Sequence, residues 1–174
     1  GAFEMIAAQP GVEAATLLKI VREVAAAAGS KGMIGGQIID LVCENKTIDL
    51  ATLQKMHRGK TGALFCAAIR SGALLGGADE KELAALTEYA EYLGLAFQIT
   101  DDILDVTGTE EMIGKPVGSD QKNLKSTYVT LFSLQEAQLH AQAAVEKALE
   151  CLNIFDDKAA VLRELVKLIL RRDR

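Results

Sequence analysis

The sequence contains no tryptophan and only two prolines among 174 residues, and aromatic residues make up 5% of the chain. Because proline breaks helices and aromatic side chains favour strands, this scarcity favours long helices over a turn-rich β-sandwich. No stretch approaches the ~18 uncharged apolar residues that a membrane span requires. We therefore expect an all-α protein without a membrane span.

Paired cysteines and an excess of positive charge are also lacking. The three cysteines, Cys43, Cys66 and Cys151, show no CxxC spacing, which indicates reduced thiols and excludes a disulfide framework or a zinc site. The segment before Pro10 has no basic region of the kind that opens a secretory signal peptide. A net charge of −5 excludes a general electrostatic attraction to nucleic acid. We expect a cytoplasmic protein that does not bind nucleic acid.

Apolar residues recur at helical spacing along most of the chain, and the pattern predicts one all-α domain. Asp49 and Asp79 are typical N-cap residues, and Gly76-Gly77 is a typical helix end. Residues 61–76 are apolar nearly all round, so we expect them to be buried. Residues 107–125 form a long polar loop of the kind that often carries function. The predicted helices cover residues 2–9, 12–28, 31–43, 50–75, 80–107, 126–151 and 156–172.

Three aspartates end the predicted helix that precedes this loop. Asp101, Asp102 and Asp105 are three or four residues apart, which places them on one helix face, with Gln98 one turn earlier. Their charges repel one another and oppose the helix dipole, so a cation is needed to compensate them. Hard cations such as Mg²⁺ take oxygen ligands of this type. The pattern alone fits either a metal site or a solvated helix end.

Two basic features accompany the aspartates. Lys60, next to Thr61, lies where a polar helix start becomes apolar, so its ammonium needs an anionic partner or must extend to solvent. The loop carries Lys115 and ends at Lys125, but it lacks the glycine spacing of a Walker A motif. Carboxylates for Mg²⁺, a lysine at the edge of the core and a basic loop together predict a diphosphate site.

Four segments resemble the trans-isoprenyl diphosphate synthases, the family of bacterial-type farnesyl and geranylgeranyl diphosphate synthases. They occur in the family's order and at its intervals, and they match the C-terminal part of these enzymes. The resemblance implies the C-terminal portion of the isoprenoid synthase helical bundle. The segments are GGQIIDL (35–41), HRGKTGALF (57–65), FQITDDILD (97–105) and GKPVGSDQKNLKSTY (114–128).

The activity that this resemblance implies is a head-to-tail condensation. An allylic diphosphate ionises, its carbocation alkylates isopentenyl diphosphate, and loss of a proton gives a longer polyprenyl diphosphate. The resemblance also implies Mg²⁺ as the cofactor, with Mn²⁺ as a substitute. Asp101 would be a direct ligand of the metal. Asp102 and Asp105 would bind the metal through water or would support Asp101.

The resemblance further assigns residues to the substrate. Catalytic roles would fall to Lys60, Thr61, Asp101 and Lys115. Gln37 and Asp40, from the GQxxDL motif, would support the site. The contacts to the allylic diphosphate would come from Lys60, Thr61, Gln98 and Lys115, with Lys125 as a further candidate.

The family's first aspartate-rich motif would lie upstream of Phe3, so we expect the domain to be incomplete at its N-terminal side. On this interpretation the isolated chain does not turn over, and it self-associates through an uncovered apolar flank. The full-length parent would be a homodimer. One alternative is a non-catalytic regulatory or interaction subunit on the same fold. A class I terpene cyclase is a weaker alternative, because GKPVGSDQKNLKSTY differs from the second metal motif of cyclases.

Overall fold

A computed structural model describes residues 1–108 and 125–171, and within these ranges the secondary structure is helical, without strands. This confirms the all-α prediction. Two 3₁₀ turns, Leu152–Ile154 and Asp157–Ala159, connect the last two helices. The helices are α1 (Ala2–Ala7), α2 (Ala14–Ala28), α3 (Met33–Cys43), α4 (Leu50–His57), α5 (Ala63–Leu75), α6 (Glu80–Thr107), α7 (Tyr128–Leu131), α8 (Leu134–Cys151) and α9 (Ala160–Leu170).

Side-chain caps fix several of these helix starts, as the sequence predicts. The backbone N–H of Thr52 donates to Asp49 Oδ1 at 2.8 Å, which caps α4. At the start of α6, Glu82 N–H donates to Asp79 Oδ1 at 2.8 Å, and Asp79 N–H donates back to the Glu82 carboxylate at 2.9 Å. This reciprocal capping box satisfies backbone N–H groups that would otherwise have no partner at a helix start.

The structure departs from the predicted helices in two places. The expected helix over residues 126–151 is broken into α7 and α8, because Ser133 caps a new start through Glu136 N–H at 3.1 Å. A π-helical turn at Arg58–Gly62 joins α4 to α5. Such wide turns are rare and frequently lie at functional sites. This turn carries Lys60 and Thr61.

The expected burial of residues 61–76 is wrong for most of the segment. Within α5 itself only Ala67 and Ala73 are buried, whereas Leu64 is 38% exposed and Leu75 51% exposed. The physical reason is that, in the described part of the chain, α2 and α6 are the helices that pack closely along α5. Its remaining residues are therefore half-buried or exposed.

Helix α6 forms the centre of the fold. Tyr89, Leu93 and Ala96 are at most 1% exposed and pack against buried residues of α8 and α9. The Tyr89 hydroxyl donates to the Leu162 carbonyl at 2.8 Å, which satisfies the one polar atom that this side chain buries. Because Ile99 and Ile103 are buried in a second apolar cluster, the C-terminal turns of α6 hold the aspartates in place.

Glycines allow the backbones around the π-helical turn to approach closely. A Cβ added at Gly36 of α3 would lie 2.0 Å from the Lys60 backbone nitrogen. A Cβ at Gly94 of α6 would lie 3.2 Å from Gly62 Cα. Helices α3 and α6 therefore both pack against the turn that carries Lys60 and Thr61.

Part of the molecular surface is apolar. In α3, five large side chains are between 37% and 59% exposed: Met33, Ile34, Ile38, Leu41 and Val42.

None of the helices in the described ranges combines the length and the apolar character needed to cross a bilayer.

Candidate functional site: a charged cavity at the end of helix α6

A small cavity of about 80 Å³ lies at the C-terminal end of α6 and joins most of the charged residues that the sequence singles out. Helices α3, α4 and α6, the π-helical turn and the segment before α7 all contribute to it. Its lining consists of Asp40, Met56, His57, Lys60, Gln98, Asp101, Asp102, Lys125, Ser126 and Thr127.

Asp40 binds two lysines from different parts of the chain. The Lys60 ammonium donates to Asp40 Oδ2 at 2.6 Å, and Lys125 Nζ lies 3.0 Å from Asp40 Oδ1 and 3.1 Å from Oδ2. Burial alone would raise the pKa of Asp40, but the hydrogen bonds from Lys60 and then Lys125 outweigh it and hold this pKa below its usual value. The carboxylate is therefore ionised at neutral pH, and the three groups together carry a net charge of +1.

Thr61, the next residue of the π-helical turn, is fixed by α6. Its hydroxyl donates to Gln98 Oε1 at 2.6 Å, and Gln98 is 8% exposed. Since the oxygen of Gln98 accepts this bond, its side-chain NH₂ is directed elsewhere and is a donor. Lys60 and Gln98 therefore both line the cavity, whereas Thr61 contacts Gln98 but is absent from the lining.

The three aspartates have different surroundings. Asp101 is half-buried and lines the cavity. Asp102 is 6% exposed and also lines it, and its Oδ2 accepts the backbone N–H of Tyr128 at 2.8 Å. Asp105 is 2% exposed and is absent from the lining. One face of α6 thus presents Asp101 to the cavity, while Asp102 also anchors the first turn of α7.

His57 of α4 is a packed residue that also lines the cavity. It is 7% exposed, and its ring stacks on Tyr128 with centroids 6.0 Å apart. Its Nδ1 is buried without a hydrogen-bond partner among the described residues. Burial, with a further contribution from the Lys60 charge, lowers the pKa of His57 to about 4, against a smaller raising effect of Asp40. His57 is therefore neutral at pH 7.

The remaining predicted residues are not brought into the cavity. Gln37 is exposed and does not line it. Lys115 and most of the predicted loop lie outside the described residues. Ser126 and Thr127, which directly follow Lys125, also line the cavity, although the sequence pattern assigns them no role. The Ser126 hydroxyl accepts the Ile48 N–H at 3.1 Å and donates to the Lys46 carbonyl at 3.2 Å.

A second, larger concavity of about 770 Å³ borders the same region. It contains His57 and Arg58 together with residues of α3, α5 and α6, such as Gly35, Cys66 and Tyr92. None of the α6 aspartates lines it. The charged groups of the chain's strongest motifs therefore converge on the smaller cavity.

The site presents oxygen donors and ammonium groups, a combination suited to an anion and a hard cation together. Within the described ranges, no three or more His, Cys, Asp or Glu side chains are grouped so that they could hold a metal ion by themselves. Bound Mg²⁺ is commonly held by one or two carboxylates and completed by water and substrate phosphates. Asp101 is suited to be one of these carboxylates, because it lines the cavity and is half-buried.

Comparison with known proteins identifies the family. The family model of the polyprenyl synthetases matches residues 1–169. The chain is 46% identical over 156 residues to farnesyl diphosphate synthase of Geobacillus stearothermophilus, covering 90% of this chain and 52% of that enzyme. It is 44% identical over 174 residues to geranylgeranyl diphosphate synthase of Cyanophora paradoxa, covering 99% and 58%.

Solved structures agree with the sequence comparison. The geranyltransferase of Helicobacter pylori, crystallised with magnesium and isoprenyl diphosphate, superposes with a TM-score of 0.82 at 31% identity, over 98% of this chain and 55% of that one. Geranylgeranyl pyrophosphate synthetase of Pyrococcus horikoshii gives a TM-score of 0.84 at 29% identity, over 97% and 63%. The chain spans about half the length of the curated relatives it matches. It belongs to the polyprenyl synthetase family.

Proposed function

We propose that the whole protein is a Mg²⁺-dependent prenyltransferase. It condenses an allylic diphosphate head-to-tail with isopentenyl diphosphate and releases a longer polyprenyl diphosphate of the farnesyl or geranylgeranyl class. The observation that carries the proposal is the cavity in which Lys60 and Lys125 lie beside Asp101. Its relatives' activities support the same reaction, because the named relatives include farnesyl and geranylgeranyl diphosphate synthases.

In this reaction the cavity binds the diphosphate of the allylic substrate. The ammonium groups of Lys60 and Lys125 and the side-chain NH₂ of Gln98 are hydrogen-bond donors suited to phosphate oxygens. Thr61, also predicted as a diphosphate contact, donates its hydroxyl proton to Gln98 Oε1 at 2.6 Å and so orients the Gln98 side chain. Lys115, which lies outside the described residues, is proposed as a further diphosphate contact.

Magnesium fits the donors of this cavity. Asp101 offers a half-buried carboxylate as a direct ligand. The more buried Asp102 and Asp105 bind the metal through water or support Asp101. When bound there, the metal would supply positive charge that offsets the negative charge on the leaving diphosphate. Mn²⁺ also prefers carboxylate and water ligands, so we propose it as a substitute.

The protein's own groups assist C–O cleavage by electrostatic stabilisation. The lysines are held in place before the reaction, so they meet the developing charge without a cost of reorganisation. The carbocation then needs apolar walls that exclude water, which we propose the apolar helices α5 and α6 supply. Attack by the double bond of isopentenyl diphosphate and loss of a proton, with released pyrophosphate as the base, complete the cycle.

We place this activity in a cytoplasmic homodimer. The three cysteines are free, in keeping with a reducing compartment. Neither the non-catalytic subunit nor the terpene cyclase is favoured, because the curated relatives are prenyl diphosphate synthases.

A chimera tests the proposal. This chain would replace the matching half of the Geobacillus stearothermophilus farnesyl diphosphate synthase, and the assay would follow incorporation of radiolabelled isopentenyl diphosphate. We expect activity that EDTA abolishes and that Asp101→Ala lowers strongly, while the isolated chain shows none. A folded chimera that is inactive, or one that is insensitive to Asp101→Ala, would contradict the proposed role of this cavity.

A further inference from the structure

We propose that Asp40 is a positioning residue, which holds Lys60 and Lys125 side by side as a two-ammonium clamp for a diphosphate. The inference rests on the proposed function and deepens it, because it assigns a task to a carboxylate that would otherwise weaken anion binding.

The geometry places Asp40 beneath the two lysines. The side chain of Asp40 is 6% exposed, whereas those of Lys60 and Lys125 are 36% and 22% exposed. Because the carboxylate is buried and the ammonium groups are partly open, an anion that enters the cavity meets the lysines first. Asp40 thus supports the lysines from below and does not occupy the anion's place.

Each lysine keeps donors for a ligand. An ammonium group carries three N–H donors, and Lys60 uses one of them on Asp40 Oδ2. Lys125 directs its Nζ to both oxygens of the same carboxylate. Donors on both ammonium groups therefore remain available for phosphate oxygens while Asp40 holds the two groups together.

The three side chains come from elements that the backbone fixes independently. Gly36 sets α3 against the π-helical turn, and Asp40 lies one turn further along the same helix face. Lys125 precedes Ser126, which bonds the α3–α4 connection, and Thr127, which caps α7. Without Asp40, two like charges would face each other in a partly buried site and would move apart.

Charge counting and positioning make opposite predictions for Asp40→Asn. The substitution makes the site more positive by one charge, so electrostatics alone predicts tighter binding of inorganic pyrophosphate. Positioning predicts that binding to the 174-residue chain, measured by calorimetry with Mg²⁺ in excess, becomes about tenfold weaker. Tighter or unchanged binding by a folded Asp40→Asn variant would overturn the inference.

Two further variants separate geometry from charge and folding. Glu44→Gln removes the same charge from the end of α3, where Glu44 makes no ion pair with a described residue, and it should leave pyrophosphate affinity unchanged. Asp40→Glu keeps the charge and lengthens the side chain by one methylene. We expect its affinity to lie between those of wild type and Asp40→Asn. An Asp40→Glu affinity equal to that of Asp40→Asn, or an equal loss in Glu44→Gln, would contradict positioning.

Lysine labelling tests the inference without a ligand. An amine-acylating reagent, followed by mass spectrometry of peptides, should modify Lys60 and Lys125 more slowly than exposed Lys46 in the wild-type chain. In Asp40→Asn both lysines should react several-fold faster. Equal rates in the two proteins would overturn the role of Asp40. Absence of pyrophosphate binding in wild type would instead overturn the proposed diphosphate site, even where labelling confirms that Asp40 holds the lysines.

Discussion

The substitution Gly36→Ala probes the closest backbone contact of the site. An added Cβ would lie 2.0 Å from the Lys60 nitrogen, 2.6 Å from Lys60 Cα and 2.7 Å from the Gly59 carbonyl carbon. Carbon atoms in contact normally lie about 3.5–4.0 Å apart. Helix α3 must therefore retreat from the π-helical turn by about 1.5 Å, because backbone atoms on both sides cannot rotate away.

The structural consequence reaches Asp40. It lies four residues after Gly36, so the retreat of α3 lengthens the 2.6 Å bond to Lys60 beyond hydrogen-bond range. Overpacking of this kind costs about 1–3 kcal/mol. The helix preference of alanine over glycine offsets up to about 1 kcal/mol of it. For a net cost of about 1–2 kcal/mol, we expect Gly36→Ala to lower the melting temperature by about 2–8 °C.

Gly72→Ala is the matched control. Gly72 lies in α5, where an added Cβ has no atom within 4 Å. There the same substitution should stabilise the chain by about 0.4–1 kcal/mol through a less flexible unfolded state. Urea and thermal unfolding of both variants would give the comparison. A Gly36→Ala protein as stable as Gly72→Ala, with Lys60 still protected from acylation, would refute the reasoning.

Three further predictions follow from the described contacts. Asp102→Ala removes the buried acceptor of the Tyr128 N–H and should lower the free energy of unfolding in urea by about 1–3 kcal/mol. Asp102→Asn keeps an acceptor oxygen and should lower it less. Equal losses of stability in the two variants would contradict this. The pKa of His57 is about 4 in the folded chain and 6.5 normally, so the unfolded state binds more protons between these pH values. The free energy of unfolding should therefore be highest above pH 6.5 and fall by about 3 kcal/mol towards pH 4. His57→Leu should flatten that fall, and an unchanged slope would exclude His57 as its source. The exposed apolar residues of α3 predict self-association in light scattering, which a monodisperse monomer would disprove.

The sequence was sufficient for the helical class, the principal caps and the grouping of the charged motifs. Caps are predictable because they depend on residues three positions apart, as in Asp79 and Glu82. The aspartates and Lys60 were found because charges in an apolar context stand out. The Asp40–Lys125 contact spans 85 residues, and local spacing carries no signal for a contact between such distant elements.

Other features were not accessible to local patterns. The π-helical turn depends on packing of Gly36 and Gly94 against Arg58–Gly62, which is a tertiary property. The exposure of α5 depends on which helices are present to cover it. The distinct surroundings of Asp101 and Asp102 arise because α7 begins beside Asp102. The assignments of metal ligands and of Lys115 remain predictions.

The most direct test of the central claim is a calorimetric titration of the chain with a non-hydrolysable allylic diphosphate analogue, with and without Mg²⁺, on wild type and Asp101→Ala. We predict Mg²⁺-dependent binding to wild type that the substitution abolishes, because Asp101 is the aspartate that the cavity leaves half-exposed to a metal. Absence of binding to the folded wild-type chain, or equal binding by Asp101→Ala, would contradict a diphosphate site formed by these residues.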